Sequence, residues 1–215
     1  MIGFLIALGN AASGSLFVPP AHLPSRAEAQ SAVVRCGLPA KSVSVLFDRG
    51  MDEDVIWVSR PSGALTGPAL RCIARASLQT TYYVYFRDHA LQARYDKLYF
   101  GLENAADVAR GRDWLRAHNH LVGLPLPRKG APLSNYAQAV EAFCGVKQGT
   151  LLAATDEHFI TFTKEGLGQI TQHGLEHAAA NEAQFECVMS ATSAADLKSR
   201  GIGFGLVTHP SEAPH

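Results

Sequence analysis

No Cys-x-x-Cys pair occurs anywhere in the chain, which removes both the ligand spacing of zinc knuckles and the redox motif of thioredoxin-like proteins. A net charge is missing too: 19 Lys and Arg stand against 19 Asp and Glu, so no overall field holds a nucleic-acid backbone or draws in an anionic partner. Every apolar run stops short of the roughly 18 residues of a membrane-spanning helix. Absent as well are Gly-x-Ser-x-Gly, the phosphate-binding P-loop, Ser-x-x-Lys and any closely spaced carboxylate pair in a catalytic setting. What is left is a globular composition, 47% hydrophobic and 18% charged, with no named catalytic signature and no nucleic-acid partner expected.

The start of the chain, "MIGFLIALGNAASGSLFVPPAHLP", lacks the basic n-region of a secretory signal. It does have the apolar stretch from Ile2 to Leu8, then small residues at Gly9 to Ala11, then prolines. Residues 1–24 are therefore expected to be an export signal or else a disordered N-terminal segment, and the mature chain is expected to have no transmembrane helix.

Two stretches echo each other. "AQSAVVRCGL" at Ala29 to Leu38 and "AQAVEAFCGV" at Ala137 to Val146 are offset by 108 positions without a gap. The first follows a capping box, Ser25 with Glu28, and both end in a glycine suited to leaving a helix; Ser134 is the expected cap of the second. After each glycine come two short β-forming runs: "VSVLF" and "DVIWVS", then "TLLAA" and "HFITFT". A second helix follows in each half, opened by Thr66 and Pro68 in the first and running through "EAQFECVMSATSAADL" in the second. A final strand closes each half, "TYYVYF" and "IGFGLV".

The cysteines are 36 positions apart in the first half and 43 in the second. A hairpin turn shorter by four and a pre-helix segment longer by eleven account for the difference, and both changes fall in expected loops, where insertions are tolerated. The pattern predicts an α+β fold built by internal duplication of two αββαβ units, residues 25–100 and 133–208. Each unit is expected to carry a small, mostly antiparallel three-stranded sheet covered by helices, and the two sheets are expected to join edge to edge. A helical connector with a Pro/Gly-rich linker, 101–132, joins the units, and 209–215 form a disordered tail.

Four cysteines allow three pairings, and only the repeat selects one: Cys36 with Cys72, and Cys144 with Cys187. Each bond staples the two helices over a sheet too small to bury a large core. Loops of this size give about 4 kcal/mol of stabilisation in the chain-entropy model. Such bonds persist in oxidising compartments, which agrees with a periplasmic or secreted location.

Chemistry has few footholds. "HGLEH" matches the inverted zinc-protease pattern, with His173 and His177 as ligands and Glu176 as base. It falls in the extension of the second half and includes a glycine, so zinc there is the alternative reading, with a metal-dependent hydrolase as the function it would imply. "HNH" at His118 to His120 reads as a helix C-terminus, where His suits the dipole. The best binding candidates are the tyrosines Tyr82, Tyr83 and Tyr85 of the first final strand, since aromatic rings with a polar tip suit interfaces and sugar or peptide contacts. In the second final strand Gly201, Gly203 and Gly205 share one face, a bare surface that admits close approach. The expected function is that of an exported, noncatalytic protein that binds a protein partner or small ligand, or stabilises an envelope assembly, with no cofactor.

Overall fold

Ser25 opens the first helix as its sequence predicts: its hydroxyl accepts from the Glu28 N–H while its own N–H donates to the Glu28 carboxylate at 2.7 Å. A computed structural model describes residues 24–50, 52–59, 65–166 and 178–205, with side chains of the last segment described from 182. The expected tail, and all but the last residue of the expected signal segment, lie outside the described residues.

The first unit runs α1 (Arg26–Val34), β1 (Val43–Asp48), β2 (Glu53–Val58), α2 (Gly67–Thr80) and β3 (Val84–Phe86). A long helix, α3 (His89–Ala117), follows. The second unit runs α4 (Leu133–Phe143), β4 (Leu152–Ala154), β5 (Phe159–Phe162), α5 (Ala178–Ala194) and β6 (Gly203–Gly205). The fold is α+β, with the same order of elements in both units. Gly37 and Gly145 leave α1 and α4 with φ of +98° and +69°, a region that glycine enters without a Cβ clash. Thr66 caps α2, with Pro68 in its first turn. The expected cap of α4 is corrected: the helix starts after Pro132, and Ser134 lies inside its first turn.

The expectation of mostly antiparallel sheets is also corrected. In each sheet the middle strand pairs antiparallel with its hairpin partner and parallel with the final strand: β1 and β3 flank β2, and β4 and β6 flank β5. A hairpin turn reverses the chain, whereas α2 and α5 carry it back to the same end before the final strand begins, and such a crossover yields parallel pairing. The sheets do not join at their edges; they are separate three-stranded sheets.

The predicted disulfides are both formed, Cys36 to Cys72 and Cys144 to Cys187, each with Cα atoms 5.6 Å apart. They tie the first helix of each unit to the second at equivalent places. Beneath them lie two cores. One gathers Val33, Ile56, Val58, Leu70, Ile73, Val84 and Tyr95; the other gathers Leu115, Val140, Ile160, Val188 and Ala191, all fully buried or nearly so. Each large apolar side chain contributes about 1.5–3 kcal/mol on burial.

Helix α3 belongs to both cores. Its first half places Leu91 and Tyr95 in the first, and its second half places Trp114 and Leu115 in the second; it runs on from the first unit into the expected helical connector. Its crossing with α5 is close because Gly111 sits at the contact: a Cβ there would lie 2.6 Å from the Ser190 carbonyl oxygen and 3.0 Å from the Ala194 nitrogen. Trp114 Nε1 donates to Glu186 at 3.2 Å, and the Asn104 amide donates to Asp196 at 2.8 Å, on either side of the crossing.

A buried carboxylate organises the second unit. Glu141 is fully buried and accepts backbone N–H bonds from Gly149, Leu151 and Leu152 at 2.5, 2.6 and 2.8 Å. These bonds fix the entry into β4 and satisfy a charge whose burial is otherwise costly.

Two outcomes follow for chemical denaturation. Gly101 and Gly111 lie on the same helix, but nothing stands within 4 Å of a Cβ at Gly101. Gly101→Ala raises stability by about 0.5–1 kcal/mol through helix propensity, while Gly111→Ala lowers it by about 1–3 kcal/mol through overpacking against backbone. Equal effects at the two positions would refute the close crossing. Glu141→Gln keeps one carbonyl acceptor for Leu151 and Leu152 but turns an amide NH2 toward the Gly149 N–H, and is expected to cost about 1–3 kcal/mol.

Candidate functional site

The register of the sheets decides where the candidate residues point. In the first sheet Ile56 pairs with Val84, and both are buried under the helices; Trp57 and Tyr85, one position on, therefore face the other side. Side chains alternate along a strand, so Tyr83 shares that side. Tyr82 points the opposite way: its hydroxyl donates to the Pro24 carbonyl at 3.2 Å. The structure thus brings Tyr83 and Tyr85 together and separates Tyr82 from them.

Trp57 stacks on Tyr85 with centroids 6.4 Å apart, Tyr85 meets Tyr83 edge-on at 5.0 Å, and Tyr83 lies 6.3 Å from Phe100 of α3. Beside them Tyr99 meets Tyr83 at 5.1 Å. Trp57, Tyr83, Tyr85 and Tyr99 are half-buried and Phe100 is exposed. At the far end the Lys198 ammonium of the second unit sits 4.8 Å from the Phe100 ring centroid, within the range of a cation–π contact. A row of aromatic rings thus runs from the first sheet to the junction of the units.

The border of this row is acidic. Tyr83 donates to the Asp96 carboxylate, which also accepts from the Gln92 amide at 2.6 Å. The same Gln92 accepts from the Phe86 N–H at 2.6 Å and so locks the end of β3 to α3. Burial, reinforced by the bond to Asp96, pushes the Tyr83 phenol well above its usual range. Burial also raises Tyr85, with Asp48, Asp96 and Glu53 adding to the effect. Tyr99 is pushed up to about 12 by burial first and then by Glu103. The carboxylates that raise these phenols also border the row.

Gly203 and Gly205 lie in the other sheet. Ile160 pairs with Phe204 as Ile56 pairs with Val84, so Gly203 and Gly205 occupy the places held by Tyr83 and Tyr85 in the first unit. The space over Gly203 is filled from the neighbouring strand: a Cβ there would lie 2.4 Å from Phe159 Cδ2. Gly203 also lines a cavity of about 380 Å³ between α3 and the second unit, with Asn104 and Asp107 of α3, Phe159, Lys198 and Phe204 among its walls. The strand carrying Tyr83 and Tyr85 does not line it; Lys198, lying over Phe100, connects the cavity to the aromatic row.

His173, Glu176 and His177 lie outside the described residues. Among the described residues no group of three or more His, Cys, Asp and Glu side chains is disposed to hold a metal ion, and no helix is long and apolar enough to cross a membrane. His118 ends α3, its ring stacked on Trp114 at 3.9 Å and its Nδ1 2.8 Å from the Trp114 carbonyl oxygen. Sequence reading missed Trp57, Phe100 and Lys198. Trp57 was accessible in principle, since the alternation that buries Ile56 and Val58 exposes it, whereas nothing local links Phe100 to Lys198.

The shifted phenols set an expected alkaline limit. A phenol raised above the ordinary value of 10.0 favours the neutral folded form, so its contribution to stability is full below pH 10 and is lost as pH rises toward the folded value. Ultraviolet titration should show Tyr99 ionising near 12 and Tyr83 still later, with unfolding free energy falling above pH 10. Native phenols that all titrate together near 10 would contradict the buried aromatic row. No protein-family model matches this chain, and no curated protein or solved structure matches it either.

Proposed function

We propose that this chain is an exported, noncatalytic binding protein whose recognition surface is the aromatic row, and that its partner presents Lys or Arg side chains. The observation that carries this reading is the continuous set of rings from Trp57 through Tyr85 and Tyr83 to Phe100, flanked by Asp48, Glu53, Asp96 and Glu103. Ring faces and carboxylates together favour cations, and an open cation–π contact contributes about 0.5–1 kcal/mol, more when desolvated. The molecule already contains one such contact, Lys198 over Phe100.

Export is supported by the two disulfides, which persist in oxidising compartments. Duplication of one ancestral αββαβ unit accounts for the common element order, the equivalent strand pairings and the matching staples. On this reading the two copies have diverged in the final strand: one keeps tyrosines for recognition, and the other has glycines under Phe159.

The test is calorimetric titration of the full chain with a lysine hexapeptide, against serine and glutamate hexapeptides of the same length. The lysine peptide is expected to bind, and Trp57→Ala to weaken it by about 2- to 30-fold with unchanged far-ultraviolet circular dichroism. Equal binding of the three peptides, or indifference to Trp57→Ala, would sink the cationic-partner reading. Stoichiometric zinc in purified protein, lost in His173→Ala, together with zinc-dependent hydrolysis would instead favour the hydrolase alternative.

A further inference from the structure

The two outer edges of the first sheet are treated unequally. On β3 a single side chain takes two outward backbone groups: Gln92 accepts from the Phe86 N–H at 2.6 Å and donates to the Val84 carbonyl at 3.4 Å. On β1 the protection stops early. The Ser42 carbonyl accepts from the Ser59 N–H, so Ser44 and Leu46, in the same alternation, bond to β2, while Val43, Val45 and Phe47 turn their N–H and C=O outward. Gln30 of α1 donates to the Val43 carbonyl at 2.6 Å. Past that point no described strand pairs with the edge.

The side chains there are as open as the backbone. Leu46 and Phe47 are 51% and 53% exposed, and they are adjacent, so the edge is apolar on both faces of the sheet. Neither a charged residue nor a proline, the common guards of an edge strand, stands between Val43 and Phe47.

The uncovered groups are one N–H and one C=O at Val45 and the same at Phe47, and this set is complementary to itself. A twofold axis at Leu46 places Val45 against the partner's Phe47 and Phe47 against the partner's Val45, which joins all the groups in four hydrogen bonds. Leu46 then meets the partner's Leu46 as the close, non-hydrogen-bonded pair, on the face that carries Val55 and Trp57. On the helix face Phe47 lies across from the partner's Val45. Charge permits this register, because Asp48 falls opposite the partner's Ser44 and no like charges meet. A slip of two residues one way needs the Val43 carbonyl that Gln30 already holds; the other way sets Asp48 against the partner's Leu46 and runs pairing into the turn at Arg49. A partner of different sequence has to supply matching apolar side chains and free backbone groups at this spacing, whereas a second copy brings them by symmetry.

We propose that two copies of this chain associate through β1, antiparallel and centred on Leu46, so that their first sheets form one six-stranded sheet. The proposal goes beyond the binding reading given above and does not depend on it. The interface is small and belongs to the weak class.

Sedimentation equilibrium of the full chain with its disulfides intact, from about 10 μM to about 1 mM, is expected to show monomers passing into dimers. Leu46→Lys sets two ammonium groups across the axis and weakens association by about tenfold or more, with unchanged far-ultraviolet circular dichroism because the side chain is exposed. Leu46→Glu does the same, yet an equimolar mixture of the two variants associates again, a recovery that only a pairing of position 46 with itself produces. In hydrogen exchange of the unaltered chain, the Val45 and Phe47 amides slow as concentration rises, while those of Ser44 and Leu46, already bonded to β2, do not respond. A monomer throughout the concentration range, association indifferent to Leu46→Lys, no recovery in the mixture, or Val45 and Phe47 exchange independent of concentration would each overturn the proposal.

Discussion

Helix α3 can serve two cores only because Gly111 allows its backbone to lie against that of α5. With backbone atoms already where a Cβ would stand, the crossing has no room for a side chain and fixes the depth to which the helices interlock. Trp114 and Asn104, bonded to Glu186 and Asp196 on either side of the contact, then fix its angle. What spans α3 and the second unit depends on this contact: the position of Phe100 beneath Lys198 and the cavity beside Gly203. A small sheet with three strands cannot hold such a geometry alone, so the helix pair acts as the frame and the sheets as the pieces mounted on it.

Within that frame the units solve the same problem with different residues. Each must close the space one position before the buried Ile of its middle strand. The first unit does so with Val55 on β2 and the large ring of Tyr83 just before β3; the second puts the ring on the middle strand, as Phe159, and leaves glycine at 203. Aromatic volume is conserved while its origin moves from one strand to its neighbour, a compensation that close packing enforces. The entry into the first hairpin is likewise held by different groups. Gln30 donates to the Val43 carbonyl at 2.6 Å in the first unit, whereas Glu141 accepts three backbone N–H bonds in the second. The reversal of polarity means that neither side chain can replace the other without leaving a buried group unsatisfied.

What could be read from the sequence was local or doubled. Ser25 with Glu28, Thr66 with Pro68, and the glycines at 37 and 145 announce helix ends through short-range chemistry, and the repeat itself chooses the disulfide pairing among three. The mixed sheets do not follow from the strand-forming runs alone, because the helix between β2 and β3 dictates a crossover. Ser134 lies two residues past the actual cap, Pro132, the usual scale of ambiguity at a helix start. Gly203 looked like an open face, since periodicity shows which side lacks side chains but not whether Phe159 covers it. Gly111 and Glu141 carried no signal at all: a glycine inside a helix names no partner, and a glutamate in an amphipathic segment looks solvated until three amides converge on it.

The neutral composition also concealed a polarised surface. A formal charge of zero constrains long-range steering, which sums over the whole molecule, but binding at a site responds to charges within about one Debye length, roughly 8–10 Å. The charges that raise the Tyr83, Tyr85 and Tyr99 phenols are carboxylates, with the Lys198 ammonium at the Phe100 end of the row; the charged residues lining the cavity at the start of α4 are Arg128 and Arg200. Net charge therefore constrains binding of an extended polyanion more than it constrains binding of a single charged group at one site. The two surfaces differ in shape as well as sign. An open row of rings suits a side chain or peptide that remains partly in solvent, where each contact is weak and several must add.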